Sequence, residues 1–354
     1  MELKKIRLRE LRNYCESEEF RNFSVKPISS LRAVSYENNP RADQDDVVLY
    51  LFVENGVLLA FSLVFADAII EPNKLIRFGW GSGLWTNPDF RGNKLWKALL
   101  DEEIKDWDGK IMFTNYAPLL QRIYCGSGAF SLFAERNGYR FYLYPNFKAL
   151  LKERNFYGKI KIFLPLMNFA ARSGSIFKKL FYSNPKFQYE EISIPDRECW
   201  NFVEELNLHS TFNRRDREMQ WIVKYPWVRA DEDAENIFPF SYTGKTYKLV
   251  TFKIYESGQF TGFIVSSLVN GHLKILYYYC SIDNLKDIAD LISFVAIQNH
   301  IQYLTILDAP LSQAVKLSKN AFVFSKKYSS HVYATFDYAA DKKIFDGDGD
   351  NCFT

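Results

Sequence analysis

The same run of elements occurs twice in this chain, and that repetition limits the fold more than any single motif. Val47 to Val53 and Val57 to Val64 read as strands about Glu54-Asn55-Gly56, Asn-Gly being the preferred pair for a type I′ hairpin turn. Tyr247 to Tyr255 and Phe260 to Leu268 flank Glu256-Ser257-Gly258 in the same way. Each hairpin is followed by a strand (Ile76 to Thr86; His272 to Cys280) and a helix (from Leu95; Leu285 to Asn299). A second strand and helix follow in each copy (Lys110 to Thr114 and a helix after Asn115; Tyr303 to Leu307 and Leu311 to Ser318). Asn320-Ala321-Phe322 then matches the place of Asn137-Gly138-Tyr139. One architecture used twice predicts an α/β (α+β) chain of two tandem domains, each a mixed, mostly antiparallel sheet flanked by helices.

At 354 residues the chain has room for two cores at roughly 150 residues per domain. The pattern divides it into a first domain at 1–147, a connector at 148–186, a second domain at 187–340 and a tail at 341–354. Before the first hairpin lie a strand, Glu2 to Leu8, and helical stretches through Leu11 to Phe20 and Ile28 to Tyr36. From Pro145 to Lys186, nine basic residues stand against one acid, Glu153, among interleaved apolar residues. Such a segment can lie on an anionic surface or grip a phosphate backbone, but it reads first as a connector packed between domains with its lysines in water. The tail, Phe345 to Asn351, begins like a calcium loop but lacks the sixth-position glycine and the distal glutamate, so it reads as a solvated acidic terminus.

The first copy carries one chemically distinctive turn. Asn87-Pro88 stops the strand Ile76 to Thr86, and Leu95, Leu99 and Leu100 recur on one helical face. Between them, Arg91, Gly92, Asn93 and Lys94 sit at a helix N-terminus, where unpaired amides and the macrodipole favour an anion, and Arg91, Lys94 and Lys97 add full charges. The second copy has Ser281-Ile282-Asp283-Asn284 there, an acid and no arginine.

The run from Pro88 to Leu100 resembles the signature of the GNAT N-acetyltransferase superfamily, a strand ending at proline and then Arg-Gly-x-Gly-x-Gly opening a helix. Pro88, Arg91 and Gly92 match, while Lys94 and Trp96 replace the two later glycines. Phe133 to Phe141 resembles the family's later Leu-Tyr-Glu-Lys-x-Gly-Phe segment, read as a helix closed by Gly138 and followed by a strand. The resemblance covers residues 1 to about 147, and the degenerate second half is similar to that of Fem-type proteins, which join two such folds.

The resemblance implies two GNAT-like domains and an acyltransferase that moves an acetyl or other acyl group from acetyl-coenzyme A, its co-substrate, to a small-molecule or peptide amine. Arg91 and Lys97 would neutralise the pyrophosphate, the amides of Gly92, Asn93 and Lys94 would donate to it, and Trp96 completes the turn. Leu84, Trp85 and Thr86 would pair with the pantetheine arm as an added strand does. The family often supplies a tyrosine as general acid toward the leaving thiolate. That position is Ala134 here, so either Tyr116, Tyr124, Tyr139 or another donor does that work, or this half does not catalyse. Two other readings stay open: an aminoacyl transferase using charged tRNA, with the basic connector on the RNA, and a non-catalytic binding protein built on degenerate folds.

A net charge of +3 is too mild to suggest nucleic acid as the partner of the whole chain. Cys15, Cys125, Cys199, Cys280 and Cys352 are odd in number, widely spread and without a CxxC pair, as expected of reduced thiols in the cytoplasm. His209, His272, His300 and His331 show no metal-ligand spacing, so no metal is expected, and no apolar run is long enough to span a membrane. Trp221, Tyr225 and Trp227 could stack on a sugar or nucleobase, but a core or interdomain role is the simpler expectation. Neither the acceptor nor the oligomeric state is legible.

Overall fold

The computed structural model describes residues 1–71, 74–115, 118–151, 157–180, 187–230, 237–240, 242–318, 320–338 and 343–353. The chain forms two compact units that are not contiguous in sequence. The first comprises 1–135, 209–246 and 330–354; the second comprises 136–208 and 247–329. This division differs from contiguous domains at 1–147 and 187–340, because residues 136–147 fall in the second unit while residues 209–246 and 330–340 fall in the first.

In the first unit, β1 (Glu2–Arg7), β2 (Val47–Glu54), β3 (Val57–Glu71) and β4 (Lys74–Thr86) run antiparallel in that order. The β2–β3 turn places Asn55 at φ 51° and Gly56 at φ 76°, the two positive angles that Asn-Gly accepts at low cost. Beyond β4 lies β5 (Ile111–Asn115), parallel to it, and then the end of β14 (Phe324–Ala334), antiparallel to β5 from His331 to Ala334. Three helices, α1 (Leu8–Cys15), α2 (Glu18–Asn22) and α3 (Ser30–Glu37), lie between β1 and β2.

Side chains alternate across these strands, so each strand serves both faces. On one face, α4 (Leu95–Asp106) buries Leu95, Leu99, Leu100 and Glu103 against a cluster that includes Tyr50, Phe52, Val64, Trp107 and Phe113. On the other, Phe65 meets Trp80, Tyr36, Trp221, Trp227 and Phe353. Trp221 belongs to α10 (Asp216–Lys224) and gives its indole N–H to the Ser35 carbonyl at 2.6 Å. Trp221 and Trp227 are therefore core residues.

The expected solvated tail is instead part of this core. Phe345, Cys352 and Phe353 are buried together with Asp346 and Asp348, and the Phe353 ring stacks on Trp227 at 4.4 Å. The fully buried Arg214 explains how so polar a segment enters: its Nη1 donates to the carbonyls of Gly347 (2.9 Å) and Gly349 (3.1 Å) while Nη2 pairs with Asp67 at 2.5 Å. Asp348 accepts from the Phe345 amide and Asp346 from the Asn351 side chain, so the acids close local turns. Gly349, at φ 87°, lies against Trp80, where a Cβ would come within 2.4 Å of the indole.

The second unit repeats the plan. β7 (Gln188–Ile192), β10 (Tyr247–Glu256), β11 (Gln259–Val269) and β12 (His272–Cys280) are antiparallel, and β13 (Tyr303–Ile306) runs parallel to β12. β8 (Val228–Arg229) and β9 (Tyr242–Thr243), in the first unit, form a separate short parallel pair. The repeat extends to irregularities: the β3–β4 register shifts between Leu63 and Val64, and the β11–β12 register between Val265 and Ser266.

The sheet is completed by β6 (Ser131–Tyr142), antiparallel to β13 from Tyr139 to Tyr142. Phe133 to Tyr139 is thus strand, not the end of a helix. Gly138 stands at mid-strand because a Cβ there would lie 1.8 Å from the Ile306 carbonyl oxygen. Asn320-Ala321-Phe322, by contrast, precedes β14, so that part of the echo does not hold. The connector also belongs to this unit, as α6 (Phe147–Leu151), α7 (Tyr157–Ile160) and α8 (Leu164–Leu180); Lys152, Arg154 and Lys186 lie outside the described residues.

Candidate active site

The turn after β4 is built from the strand outward. The Asn87 amide donates to Leu59 of β3 at 2.8 Å, fixing the end of β4, and its side chain accepts from the Asp89 amide, opening a single 3₁₀ turn over Pro88–Phe90. Gly92 then takes φ 98° and Lys94 φ 55°, and α4 starts at Leu95. Lys94 thus keeps the left-handed backbone that the glycine it replaces would adopt freely, at a cost of about 1–2 kcal/mol for an L-residue.

The carbonyl of Lys94 accepts from the amides of Lys97 (2.9 Å) and Ala98 (3.3 Å), and the Asn93 amide turns back toward Phe90 at 3.5 Å. Among the described residues, the amides of Gly92, Lys94, Leu95 and Trp96 have no acceptor. The first turn of α4 carries no acid. Arg91, Gly92, Asn93, Lys94 and Lys97 are all exposed. Lys97 pairs with Asp101 at 2.9 Å, whereas Arg91 and Lys94 have no carboxylate partner among the described residues. Trp96 packs against the cluster beneath α4 rather than over its end. The result is an uncovered helix N-terminus with two uncompensated cations, a donor set that fits a pyrophosphate.

Next to the turn, β4 and β5 part. Gly79, Trp80 and Gly81 pair with Ile111, Met112 and Phe113, and the pairing stops there. Thr114 and Asn115 pair instead with Val332 and His331 of β14, while Gly83 to Thr86 pair, among the described residues, with β3 alone. Among the described residues Leu84, Trp85 and Thr86 therefore present an edge without a second ladder partner, the kind of edge to which an extended arm can add. Leu84 also packs on the core cluster, and Trp85 stacks on Phe61 at 5.5 Å.

Where the strands part, Ser82 is the extra residue of the β4 bulge, since Leu63 faces Gly83 and Val64 faces Gly81. The buried Arg32 of α3 donates to the Ser82 carbonyl at 2.7 Å and also reaches its hydroxyl, which is 2.8 Å from the Tyr36 hydroxyl. The Arg32 guanidinium lies 4.2 Å from the centre of the Trp227 ring. Burial pushes the Tyr36 phenol up despite Arg32 beside it, and the charge of Asp350 pushes the same way. Arg32, Tyr36 and Asp350 were not singled out from sequence; a buried arginine in a helix 50 residues before its strand partner leaves no local signal.

The tyrosine candidates separate. Tyr124, on α5 (Pro118–Gly126), packs on Phe113 at 4.3 Å in the first unit, and burial followed by the nearby Glu103 charge pushes its phenol upward. Tyr139, on β6, belongs to the second unit, with the Lys316 ammonium 4.7 Å from its ring centre. Tyr116 lies outside the described residues. Among the described residues no group of three or more His, Cys, Asp or Glu side chains is placed to hold a metal ion.

Neither a known protein family nor a curated protein matches this sequence. Solved structures do match. A GCN5-related N-acetyltransferase from Anabaena variabilis ATCC 29413 superposes with a TM-score of 0.52 at 10% identity, over 94% of this chain and 71% of that one. The fold is that of the GCN5-related N-acetyltransferases. Saccharomyces cerevisiae N-myristoyltransferase with bound myristoyl-CoA shares this fold over 99% of this chain and 88% of its own, with a TM-score of 0.50 at 11% identity. An Enterococcus faecalis V583 protein described as a probable N-acyltransferase matches over 94% of this chain and 72% of its own, with a TM-score of 0.50 at 11% identity. At such identities the likeness establishes the fold and leaves the chemistry to the residues.

Proposed function

We propose that this protein is an N-acyltransferase that takes an acyl group, acetyl in the simplest case, from coenzyme A and gives it to a small-molecule or peptide amine. The observation that carries this reading is the open amino end of α4, with Arg91 and Lys94 uncompensated, beside the unpaired edge of β4. Arg91, Lys94 and the amides of Gly92, Lys94, Leu95 and Trp96 would hold the pyrophosphate, and Leu84 to Thr86 would align the arm that carries the thioester. Coenzyme A supplies an acyl carbon activated as a thioester. The amine nitrogen forms a bond to that carbon, the carbon–sulfur bond breaks, and a proton from the amine ends on the sulfur. Holding amine and thioester together supplies most of the rate. Some neighbours sharing the fold are described as N-acetyltransferases or as an N-myristoyltransferase, which supports the reaction class. All five cysteines are free, which fits a reducing, cytoplasmic setting.

Titrating coenzyme A by calorimetry tests the reading. Binding that weakens at least tenfold in Arg91→Ala, together with acyl turnover in the absence of tRNA, is the expected result. No heat and no thermal shift at millimolar coenzyme A would leave a non-catalytic binding protein, and turnover that requires charged tRNA would favour aminoacyl transfer.

A further inference from the structure

The helix α8 is amphipathic in the reverse sense to a core helix. At 3.6 residues per turn, Leu166, Phe169, Ile176, Phe177 and Leu180 fall on one stripe, with Ser173 among them, and each of these apolar side chains is more than half exposed. The opposite side meets its own unit: Leu164 and Ser175 are buried there, and Asn168 accepts from the Phe147 amide at 2.9 Å. Phe163, in the 3₁₀ turn just before the helix, continues the exposed apolar surface.

Cations border that stripe. Arg172 and Lys179 lie along one margin, Lys159 and Lys161 are exposed just before the helix, and Lys178 lies on the side toward its own unit. Lys178 donates to the Phe322 carbonyl at 2.5 Å, Lys179 to the Tyr144 hydroxyl at 2.6 Å, and Arg172 lies 6.0 Å from the Tyr144 ring centre. These partners are neutral, so they orient the charges without cancelling them. No aspartate or glutamate occurs anywhere from 154 to 189.

We propose that this face docks the protein on an anionic lipid bilayer, α8 lying in the interface with Leu166 and Phe169 among the acyl chains and the bordering cations among acidic headgroups. An apolar centre with basic margins and no acid matches a negatively charged interface in both respects. A nucleic acid would want cations at the centre of the face, where there are none. A second copy of the face would bring basic margins together with no acid to pair them. The helix is too short to cross: 17 residues rise about 25 Å, and no described helix is long and apolar enough to span. This proposal does not depend on the acyl-transfer reading.

Flotation of the full chain with phosphatidylglycerol/phosphatidylcholine vesicles, against phosphatidylcholine alone, tests it. Binding to the anionic vesicles is expected, falling at least tenfold in Leu166→Glu/Phe169→Glu and in Lys159→Glu/Lys161→Glu. All four positions are exposed, and unchanged thermal unfolding of the variants shows that the fold is kept. Failure of the wild type to float with anionic vesicles overturns the proposal, as does equal flotation of the apolar double variant. So does a dimer, seen by light scattering, that dissolves in Leu166→Glu/Phe169→Glu while no vesicle is bound, which would assign the face to a second copy.

Discussion

Arg32 holds the carbonyl of Ser82, 2.7 Å away, at the residue where β4 bulges and parts from β5. The guanidinium is buried, reaches the Tyr36 hydroxyl at 3.2 Å and the Phe240 carbonyl at 3.4 Å, and has no carboxylate partner among the described residues. Replacing it by methionine keeps the apolar stem beside Trp227 but leaves the Ser82 carbonyl without its guanidinium donor, the hydroxyl keeping Tyr36. A loss of about 2–3 kcal/mol is expected in urea unfolding, from hydrogen bonds to a charged group. A variant as stable as the wild type would mean that the bulge holds itself.

Asp67 ties the core of the first unit to its tail. Its carboxylate, 1% exposed, pairs with Arg214 at 2.5 Å and with Arg41 at 2.7 Å. Burial alone would raise its pKa, but the two guanidinium groups outweigh burial and hold it below the usual carboxylate range. Its contribution is therefore fully present above the unfolded value near ~4 and is lost as pH falls through the lower folded value. Asp67→Asn, which removes the carboxylate shared by the buried Arg214 and Arg41 while Arg41 keeps Glu218 at 3.0 Å, should cost about 3–5 kcal/mol at pH 7. The deficit relative to wild type should narrow in acid unfolding below about pH 4; a constant deficit would refute the linkage.

Glu103 titrates in the opposite sense. Buried on the inner face of α4, its carboxyl is pushed up to about 8 by burial. The unfolded chain releases that proton near ~4.3 and the folded chain keeps it until about pH 8, so stability falls as pH rises between those values and levels off above them. Glu103→Gln stays neutral throughout. Relative to wild type it should gain on the order of 1.4 kcal/mol per pH unit across that window, read from urea midpoints at pH 5, 6.5 and 8. Parallel curves would show that the carboxyl is ionised in the fold.

Local signals carried much of this architecture and long-range ones did not. The two hairpins, the parallel crossovers and the buried stripe of α4 are all written in turn pairs and periodicity within a dozen residues, and the structure has them. The pairing of β6 with β13 and of β14 with β5 leaves no such mark, because strand pairing depends on which edge is free rather than on the strand's own residues. The tail failed for a related reason: its aspartates read as solvated until Arg214, more than 130 residues earlier, is seen to bind the carbonyls between them. At the turn, the basic run and the start of α4 were legible from charge and periodicity, but Lys97 pairs with Asp101 and the Asn93 amide turns toward Phe90, and Arg32 was not legible, since a basic residue in a short helix reads as surface.

Gly138 was read as a helix stop, yet its role is steric. With its Cα facing the Ile306 carbonyl, a methyl group at this position would overlap backbone rather than a side chain that could rotate away. Gly138→Ala should therefore cost about 3 kcal/mol or more, beyond ordinary overpacking, because relief requires β6 and β13 to separate. Thermal unfolding measures it, and a shift of a degree or less would mean that the two strands yield cheaply.

Lys94 separates backbone geometry from charge at the proposed pyrophosphate turn. Its φ of 55° costs a lysine about 1–2 kcal/mol, while glycine, which adopts that angle freely, loses about 0.5–1 kcal/mol through the greater freedom of its unfolded chain. Lys94→Gly should thus leave stability unchanged or raised by no more than about 1.5 kcal/mol. It keeps the amide in place and removes one exposed cation, so coenzyme A affinity should fall a few-fold at low salt and converge with wild type in 0.5 M salt, where exposed charges are screened. Arg91→Ala also removes a planar fork that can donate two parallel bonds to one phosphate, and its loss should persist at high salt. If both variants lose affinity equally at every salt concentration, the turn acts through charge alone, and the fork geometry assigned to Arg91 falls.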